Sequence, residues 1–350
     1  MSHIAAVRCA FPPNRYAQSQ LTDMAARICL PEGTDRRLLD RLHRSARVEY
    51  RNLALPIERY DKLNGFGAAN DAFVSTAVEL GIESVKAALD AAGFAPEDVD
   101  MIMFTSVTGI AAPSIDARLA AALGLRPDVK RLPIFGLGCV AGAAGIARVH
   151  DYLRGWPDHV AVLLSVELCS LTVQRGDSSP ANLVASALFG DGSAAVVACG
   201  DGRMRRGPTV VATRGHLYPG SEHVMGWQVG DSGFRVLLDA SVPSVVRQYL
   251  ADDVHGFLAD HGVAADEVTA WVCHPGGPKV LEAVSDVLDL PAGALDVTWR
   301  SLADNGNLSS ASVLHVLGET LATRPPEPGT WGLLIAMGPG FCSELVLLRW

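Results

Sequence analysis

Apolar positions along this chain follow two patterns. Unbroken apolar runs bounded by turn residues predict buried strands at residues 4–7, 98–105, 132–135, 159–168 and 271–273. Runs with helical spacing predict helices over 71–92, after Pro113, from Val140 and over 181–188. At 131–153, RLPIFGLGCVAGAAGIARVHDYL, the patterns meet. Leu132 to Phe135 read as a short buried strand and Gly136 to Gly138 as a tight turn. The helix that follows has Ile146, Val149 and Leu153 on one face. Cys139 therefore falls at a strand-to-helix junction.

The pattern then starts again. LDAAGFAPEDVDMIMFTSVTG (89–109) aligns with LADHGVAADEVTAWVCHPGG (258–277), so that Gly93 matches Gly262. GCVAGAAG from Gly138 matches GNLSSASV from Gly306, and FGDGSAAVV (189–197) matches MGPGFCSEL (337–345). Matches in the same order indicate an internal duplication. The turn-rich CGDGRMRRGP separates an N-terminal half, 1–203, from a C-terminal half, 204–350. Two α/β halves of one plan follow, with a site between equivalent loops carrying Cys139 and Asn307.

Composition narrows the class. A chain of 350 residues exceeds one ordinary core. The formal charge of −9 argues against a nucleic-acid binder, and no apolar run is long enough to span a membrane. The N-terminus lacks the pattern of a signal peptide. Seven cysteines at irregular spacing form neither a disulfide framework nor a metal pair, so a reducing, cytoplasmic setting is expected, with no metal.

Three residues carry candidate chemistry. A thiol at a helix N-terminus meets unpaired N–H groups and the positive end of the dipole, which favour a thiolate. A buried structural cysteine is the alternative. His274 ends a strand before Pro275-Gly276-Gly277, where α/β proteins place ligands, although a core histidine would fit the same pattern. Asn307 precedes a helix that it would cap. Together they supply a nucleophile, a base and fixed donors for a developing oxyanion. Residues 35–51 carry six arginines against three acids, with Arg37, Arg41 and Arg44 on one helical face. The face suits the phosphates of coenzyme A, or is simply solvated.

Five ordered motifs identify a resemblance over essentially the whole chain: GLGCVAGAAG, ALFGDGSAAVV, HPGGPKVL, GNLSSAS and MGPGF. The chain resembles the type III polyketide synthases, the chalcone and stilbene synthase family. The resemblance implies the thiolase fold, two duplicated halves in a layered αβαβα arrangement, and a homodimer. It implies catalysis by Cys139, His274 and Asn307, with no cofactor beyond coenzyme A thioesters as substrates. Phe189 matches the family's gatekeeping phenylalanine, and Thr108, Cys169 and Thr172 match cavity positions. Arg41, with Arg44, Gly276 and Gly277, matches the coenzyme A site, though Ser45 replaces a family lysine. Gly338, Pro339 and Gly340 match the turn that shapes the cyclisation pocket.

Departures from the plant pattern bear on substrate. Val236 stands at the second gatekeeping phenylalanine, and Ala112 at the methionine before the proline of the crossing loop. These smaller side chains suggest an apolar tunnel, and HVMGWQVGDSGFRVLL is similar to alkylresorcinol and alkylpyrone synthases. The expected reaction is therefore extension of a fatty acyl-CoA starter by malonyl-CoA, or methylmalonyl-CoA, with closure to a resorcinol or pyrone. The alternative is a 1,3,6,8-tetrahydroxynaphthalene synthase using malonyl-CoA only. Its relatives share a cysteine at the position of Cys169, but here Val107 replaces another. More distant is a ketoacyl-ACP synthase, which would lack the Phe189 gate and the GPGF turn.

Overall fold

The computed structural model describes residues 1–203 and 205–350. The expected boundary between the halves touches Met204, outside the described residues. The strands are β1 (Ser2–Ala10), β2 (Asn14–Ala17), β3 (Tyr50–Leu53), β4 (Val99–Thr105), β5 (Lys130–Ile134) and β6 (Val160–Leu168). There follow β7 (Asp191–Gly200), β8 (Thr209–Leu217), β9 (Met225–Gly230) and β10 (Gly233–Leu238). The last are β11 (Val268–Cys273), β12 (Trp331–Gly338) and β13 (Cys342–Arg349). The first helices are α1 (Gln18–Cys29), α2 (Arg37–Ser45), α3 (Ile57–Tyr60), α4 (Gly65–Ala92), α5 (Ile115–Leu123) and α6 (Ala141–Gly155). Then come α7 (Pro180–Leu188), α8 (Val242–Asp260), α9 (Pro278–Val287), α10 (Asp296–Asn305) and α11 (Ser310–Thr323).

Nine strands form one mixed sheet in the order β11-β12-β13-β8-β1-β7-β6-β4-β5. Its two sides repeat one plan. β1 pairs antiparallel with β7, β7 antiparallel with β6, and β6 parallel with β4. Correspondingly, β8 pairs antiparallel with β13, β13 antiparallel with β12, and β12 parallel with β11. A short contact of Ser2 and His3 with β8 joins them. The repeat extends to the approaches: α4 and α8 are followed by Gly93 (φ 69°) and Gly262 (φ 68°), each leading through a 3-10 turn into β4 or β11. The duplication read from sequence is thus present strand by strand.

Alternation along each strand divides the interior into three cores. On β6, Val160, Val162, Leu164 and Val166 face a core shared with α4 and α5, whereas Ala161 and Leu163 face the centre. On β12, Leu333 and Ile335 face a core with α8 and α9, whereas Leu334 and Ala336 face the centre. The central core holds α6 and α11, buried on nearly every face. Helix, sheet, helix pair, sheet, helix gives the αβαβα layering. The two central helices approach so closely that a Cβ on Gly142 would lie 2.3 Å from the Ser310 carbonyl oxygen. Small residues at the head of α6 make that approach possible.

Two expectations need correction. The helix read over 71–92 begins earlier, at Gly65. The strand read as buried at 132–135 is instead β5, on the edge of the sheet, with Leu132 40% and Phe135 51% exposed. Apolar composition reports a preference for burial but does not specify what covers the strand.

Candidate active site

Cys139 sits in a single 3-10 turn, Gly138–Val140, between β5 and α6. Gly138 has φ +56°, and a Cβ there would lie 2.6 Å from the Pro339 ring, so both conformation and space require glycine. Pro339 belongs to the turn between β12 and β13, and a Cβ on Gly338 would meet the Val140 nitrogen at 2.7 Å. The turn Gly338-Pro339-Gly340 therefore lies against the cysteine's own turn. The Cys139 Sγ is 3.6 Å from Ser309 Oγ.

Ser309 heads α11 with φ +49°, a strained conformation for a non-glycine residue. Its N–H donates to Asn307 Oδ1 at 2.8 Å, and Ser312 Oγ lies 3.4 Å from the same oxygen. Asn307 is not the N-cap expected from sequence: Ser309 holds that position without a side-chain cap, and Asn307 Oδ1 closes a turn just before the helix, which leaves its Nδ2 group as the remaining donor. Its backbone pairs with the residue after α7: the Asn307 N–H donates to the Leu188 carbonyl (2.8 Å), and the Gly190 N–H to the Asn307 carbonyl (3.0 Å). Phe189 and Asn307 thus form an isolated parallel bridge. Gly306 makes the approach possible, with φ +72° and a virtual Cβ 2.5 Å from the Leu188 carbonyl oxygen.

His274 follows β11, where its N–H donates to the Ile335 carbonyl of β12 at 2.9 Å. It is buried, and its Nδ1 has no hydrogen-bond partner. A buried imidazole nitrogen left without a partner is costly as scaffold, and fits a group whose partner arrives with substrate. Burial pushes the His274 pKa down to about 3 and the Cys139 thiol up to about 12; the Ser309 hydrogen bond lowers the latter and the Glu167 charge raises it. Loss of solvent thus works against the charged form of both groups, opposite to the pull of a helix N-terminus on a thiolate. Glu167 lies behind, its pKa raised by burial and held down by hydrogen bonds from Ser310 Oγ, the Val107 N–H and Thr108 Oγ1.

A cavity of about 310 Å³ opens over Cys139. Its walls include Thr108, Cys169, Thr172, Phe189 and Val236, all singled out from sequence, together with Pro339. His274 and Asn307 are buried beyond the wall. Ala112 is not in it: this residue is exposed beside Ile110 in a separate surface groove with Asn70, Asp71 and Arg118. A turn that leaves the sheet at this point cannot reach its own chain's cavity, so Ala112 opens no tunnel there. Arg41 and Arg44 are exposed on α2, also outside the wall. Gly277 heads α9 with φ +132°, packed on Leu188, next to Gly276. Sequence reading missed Trp227, Phe135, Met225 and Ser309. Trp227 and Val236 face each other across the β9–β10 hairpin, and Trp227 packs on Phe234 at 5.9 Å.

Among the described residues no three His, Cys, Asp or Glu side chains cluster so as to hold a metal ion, and no helix is long and apolar enough to cross a membrane. The site offers a thiol in the wall of an apolar chamber, with an unpaired imidazole and an amide donor buried beyond that wall.

Comparison with known proteins assigns this architecture. Residues 1–202 match the N-terminal domain, and residues 209–350 the C-terminal domain, of the chalcone and stilbene synthases. The chain is 62% identical to a 1,3,6,8-tetrahydroxynaphthalene synthase of Streptomyces peucetius subsp. caesius, over 99% of this chain and 93% of that protein. It is 33% identical to a putative chalcone synthase of Bacillus subtilis (strain 168), over 100% and 99% respectively. The solved structure of 1,3,6,8-tetrahydroxynaphthalene synthase from Streptomyces coelicolor A3(2), a bacterial type III polyketide synthase, superposes with a TM-score of 0.94 at 30% identity, covering 99% of both chains. With this fold, and with both family domains matched in order, the chain belongs to the chalcone and stilbene synthase family and is a type III polyketide synthase.

Proposed function

We propose that this enzyme makes 1,3,6,8-tetrahydroxynaphthalene from malonyl-CoA, which serves as both starter and extender. The observation that carries the proposal is the 62% identity, over 99% of the chain, to a synthase of that product. The chamber agrees. At about 310 Å³ it lies at the small end of the roughly 300–1,000 Å³ of ligand pockets, with Trp227, Phe135, Met225 and Phe189 around it. This displaces the fatty-acyl-primed reading. That reading rested on space gained at Ala112 and Val236, but Ala112 lies outside the chamber and Val236 faces Trp227. Val107 in the wall replaces one cysteine of the tetrahydroxynaphthalene synthases, while Cys169 and Cys139 remain in it.

In this reading Cys139 gives up its proton to His274 as substrate arrives. The thiolate attacks the thioester carbonyl, and the thiol of coenzyme A leaves with a proton. His274 and the Asn307 amide hold the thioester oxygen of the next malonyl-CoA. Charge builds on that oxygen as CO₂ departs, so donors fixed by the protein favour the transition state over the ground state. The resulting enolate attacks the acyl-Cys139 carbonyl and releases the cysteine thiolate, and the lengthened chain returns to Cys139 for another round. Coenzyme A carries every acyl group, so the reading uses no metal or prosthetic group. Arg41 and Arg44, with Gly276 and Gly277, contact coenzyme A outside the Phe189 gate. Phe189 separates that entry from the chamber, and Gly338-Pro339-Gly340 shapes the wall where the product folds.

The enzyme works as a homodimer in the cytoplasm. The support for a dimer is β5, an edge strand bearing exposed Leu132; such edges are normally paired or guarded. The support for the compartment is that all seven cysteines are free. Mass spectrometry of products tests the substrate assignment, with malonyl-CoA alone and with acyl-CoAs of graded length. Naphthalene product from malonyl-CoA alone, indifferent to added starters, is expected. Products whose masses track the added chain would restore the alkylresorcinol reading.

A further inference from the structure

Three consecutive carbonyls at the end of α7 find their donors outside the helix. Ala187 accepts from Gln18 Nε2 at 2.8 Å, Leu188 from the Asn307 N–H at 2.8 Å, and Phe189 from Arg51 Nη1 at 2.7 Å. Helix C-termini always leave such carbonyls to be satisfied. Here the donors join the gate residue, the amide residue and a buried arginine in one unit. Arg51, on β3, is 3% exposed, and its Nε and Nη2 also donate to Gln18 Oε1 at 3.2 and 2.9 Å. Its methylene stem packs against both glycines that flank the bridge. A Cβ on Gly306 would lie 2.9 Å from Arg51 Cδ, and one on Gly190 3.5 Å from Arg51 Cγ.

A guanidinium is expensive to bury unless it is hydrogen-bonded and opposed by charge. Asp191, buried one residue beyond Gly190, opposes it, and itself accepts from the Ser170 and Ala54 N–H groups. Burial pulls the Arg51 pKa down to about 10, which leaves it charged at neutral pH. A neutral apolar side chain would fill the space but could not reach the Phe189 carbonyl with a directed donor.

We propose that Arg51 is a positioning residue for decarboxylation: by fixing the Phe189 carbonyl it holds the Phe189–Asn307 bridge, and hence the Asn307 amide, in register with the thioester oxygen. The proposal rests on the role of Asn307 given above. Arg51 touches neither substrate nor Cys139. Its loss should therefore slow the step that depends on amide placement and leave the cysteine's own turn intact.

The test measures CO₂ release from malonyl-CoA by the full-length enzyme, alongside iodoacetamide labelling of Cys139 followed on its peptide. R51Q should lower kcat for decarboxylation roughly tenfold to a hundredfold, the usual cost of small misplacement of a reacting group. KM and the Cys139 labelling rate should each stay within about threefold. R51K, which keeps a charged donor, should recover much of the loss. An unchanged kcat, or kcat and labelling falling together as in general loosening, overturns the proposal. If R51Q does not fold, Q18M keeps the arginine and removes its partner; the same pattern at smaller amplitude is expected, and an unchanged kcat counts against the proposal. N307A is measured in parallel. Full decarboxylation by N307A would remove the role of Asn307 itself, whereas its loss together with an unaffected R51Q would remove only the Arg51 proposal.

Discussion

The two halves of this enzyme build the same junction twice and use it differently. In the N-terminal half a strand runs through Gly138 into a single turn bearing Cys139, then into α6. In the C-terminal half a glycine, Gly306, leads into Asn307 and α11, and α10 stands where the first half has β5. The first junction is tight about the sulfur and pressed on by the Pro339 ring. In the second, the polar side chain accepts from the Ser309 N–H in the turn before its helix, and its backbone bridges Phe189. A duplication supplied two equivalent openings facing one central layer. One could become a nucleophile and the other a donor without either having to do both.

Separate roles can be separated by mutation. The largest effect is expected for C139A, which should abolish tetrahydroxynaphthalene formation while leaving part of malonyl-CoA decarboxylation; product mass spectrometry and CO₂ release read the two. Full product formation by that variant would end the assignment of the nucleophile. N307A should impair decarboxylation, and product formation with it, while sparing the cysteine. Decarboxylation should fall by roughly 10²–10³, the usual loss on removing one oxyanion donor, with Cys139 labelling near wild type.

The glycines sharpen the comparison. G306A should destabilise the protein by about 2–3 kcal/mol, because φ +72° is strained for alanine and the added Cβ meets a backbone carbonyl. G138A meets a proline ring instead and should cost less, about 1–2 kcal/mol. Chemical denaturation of both variants orders them, and equal losses would mean that the clash at 306 is relieved.

A pH dependence tests the burial of the histidines. Burial holds His43 and His274 near about 3 and His315 near about 4, all below the ordinary histidine value. The unfolded chain therefore binds more protons as pH falls below about 6.5, and stability drops through the window down to those folded values. At pH 5 each such histidine costs on the order of 2 kcal/mol. Asp191, raised to about 6 by burial, works the other way and offsets part of this. Thermal unfolding should show a lower Tm at pH 5 than at pH 7; an unchanged Tm would mean that the histidines ionise in place.

What the sequence carried and what it did not divide along the same physical line. The strand–glycine–cysteine–helix unit and the repeat of Gly93 in Gly262 are local, so spacing and residue type suffice to read them; the cap expected at Asn307 stands two residues further on, at Ser309. Trp227, Phe135 and Ser309 entered the chamber only through the apposition of segments distant along the chain, and no local pattern marks them. Cys139 shows both sides: its place at a helix start was legible, but its burial was not, because burial is set by the whole fold. Leu132 and Phe135 read as interior residues because apolarity alone does not distinguish a core from an exposed sheet edge or a chamber wall.

The β9–β10 hairpin stands apart from the nine-stranded sheet, yet it supplies Met225, Trp227, Val229 and Val236 to the chamber. The candidate reacting groups Cys139, Asn307 and His274 lie in the turns before α6 and α11 and just after β11, outside the hairpin. Product identity can therefore drift, by evolution or by grafting a hairpin from a relative, while the bond-forming apparatus is inherited unchanged. A family of this design diversifies by redecorating one wall.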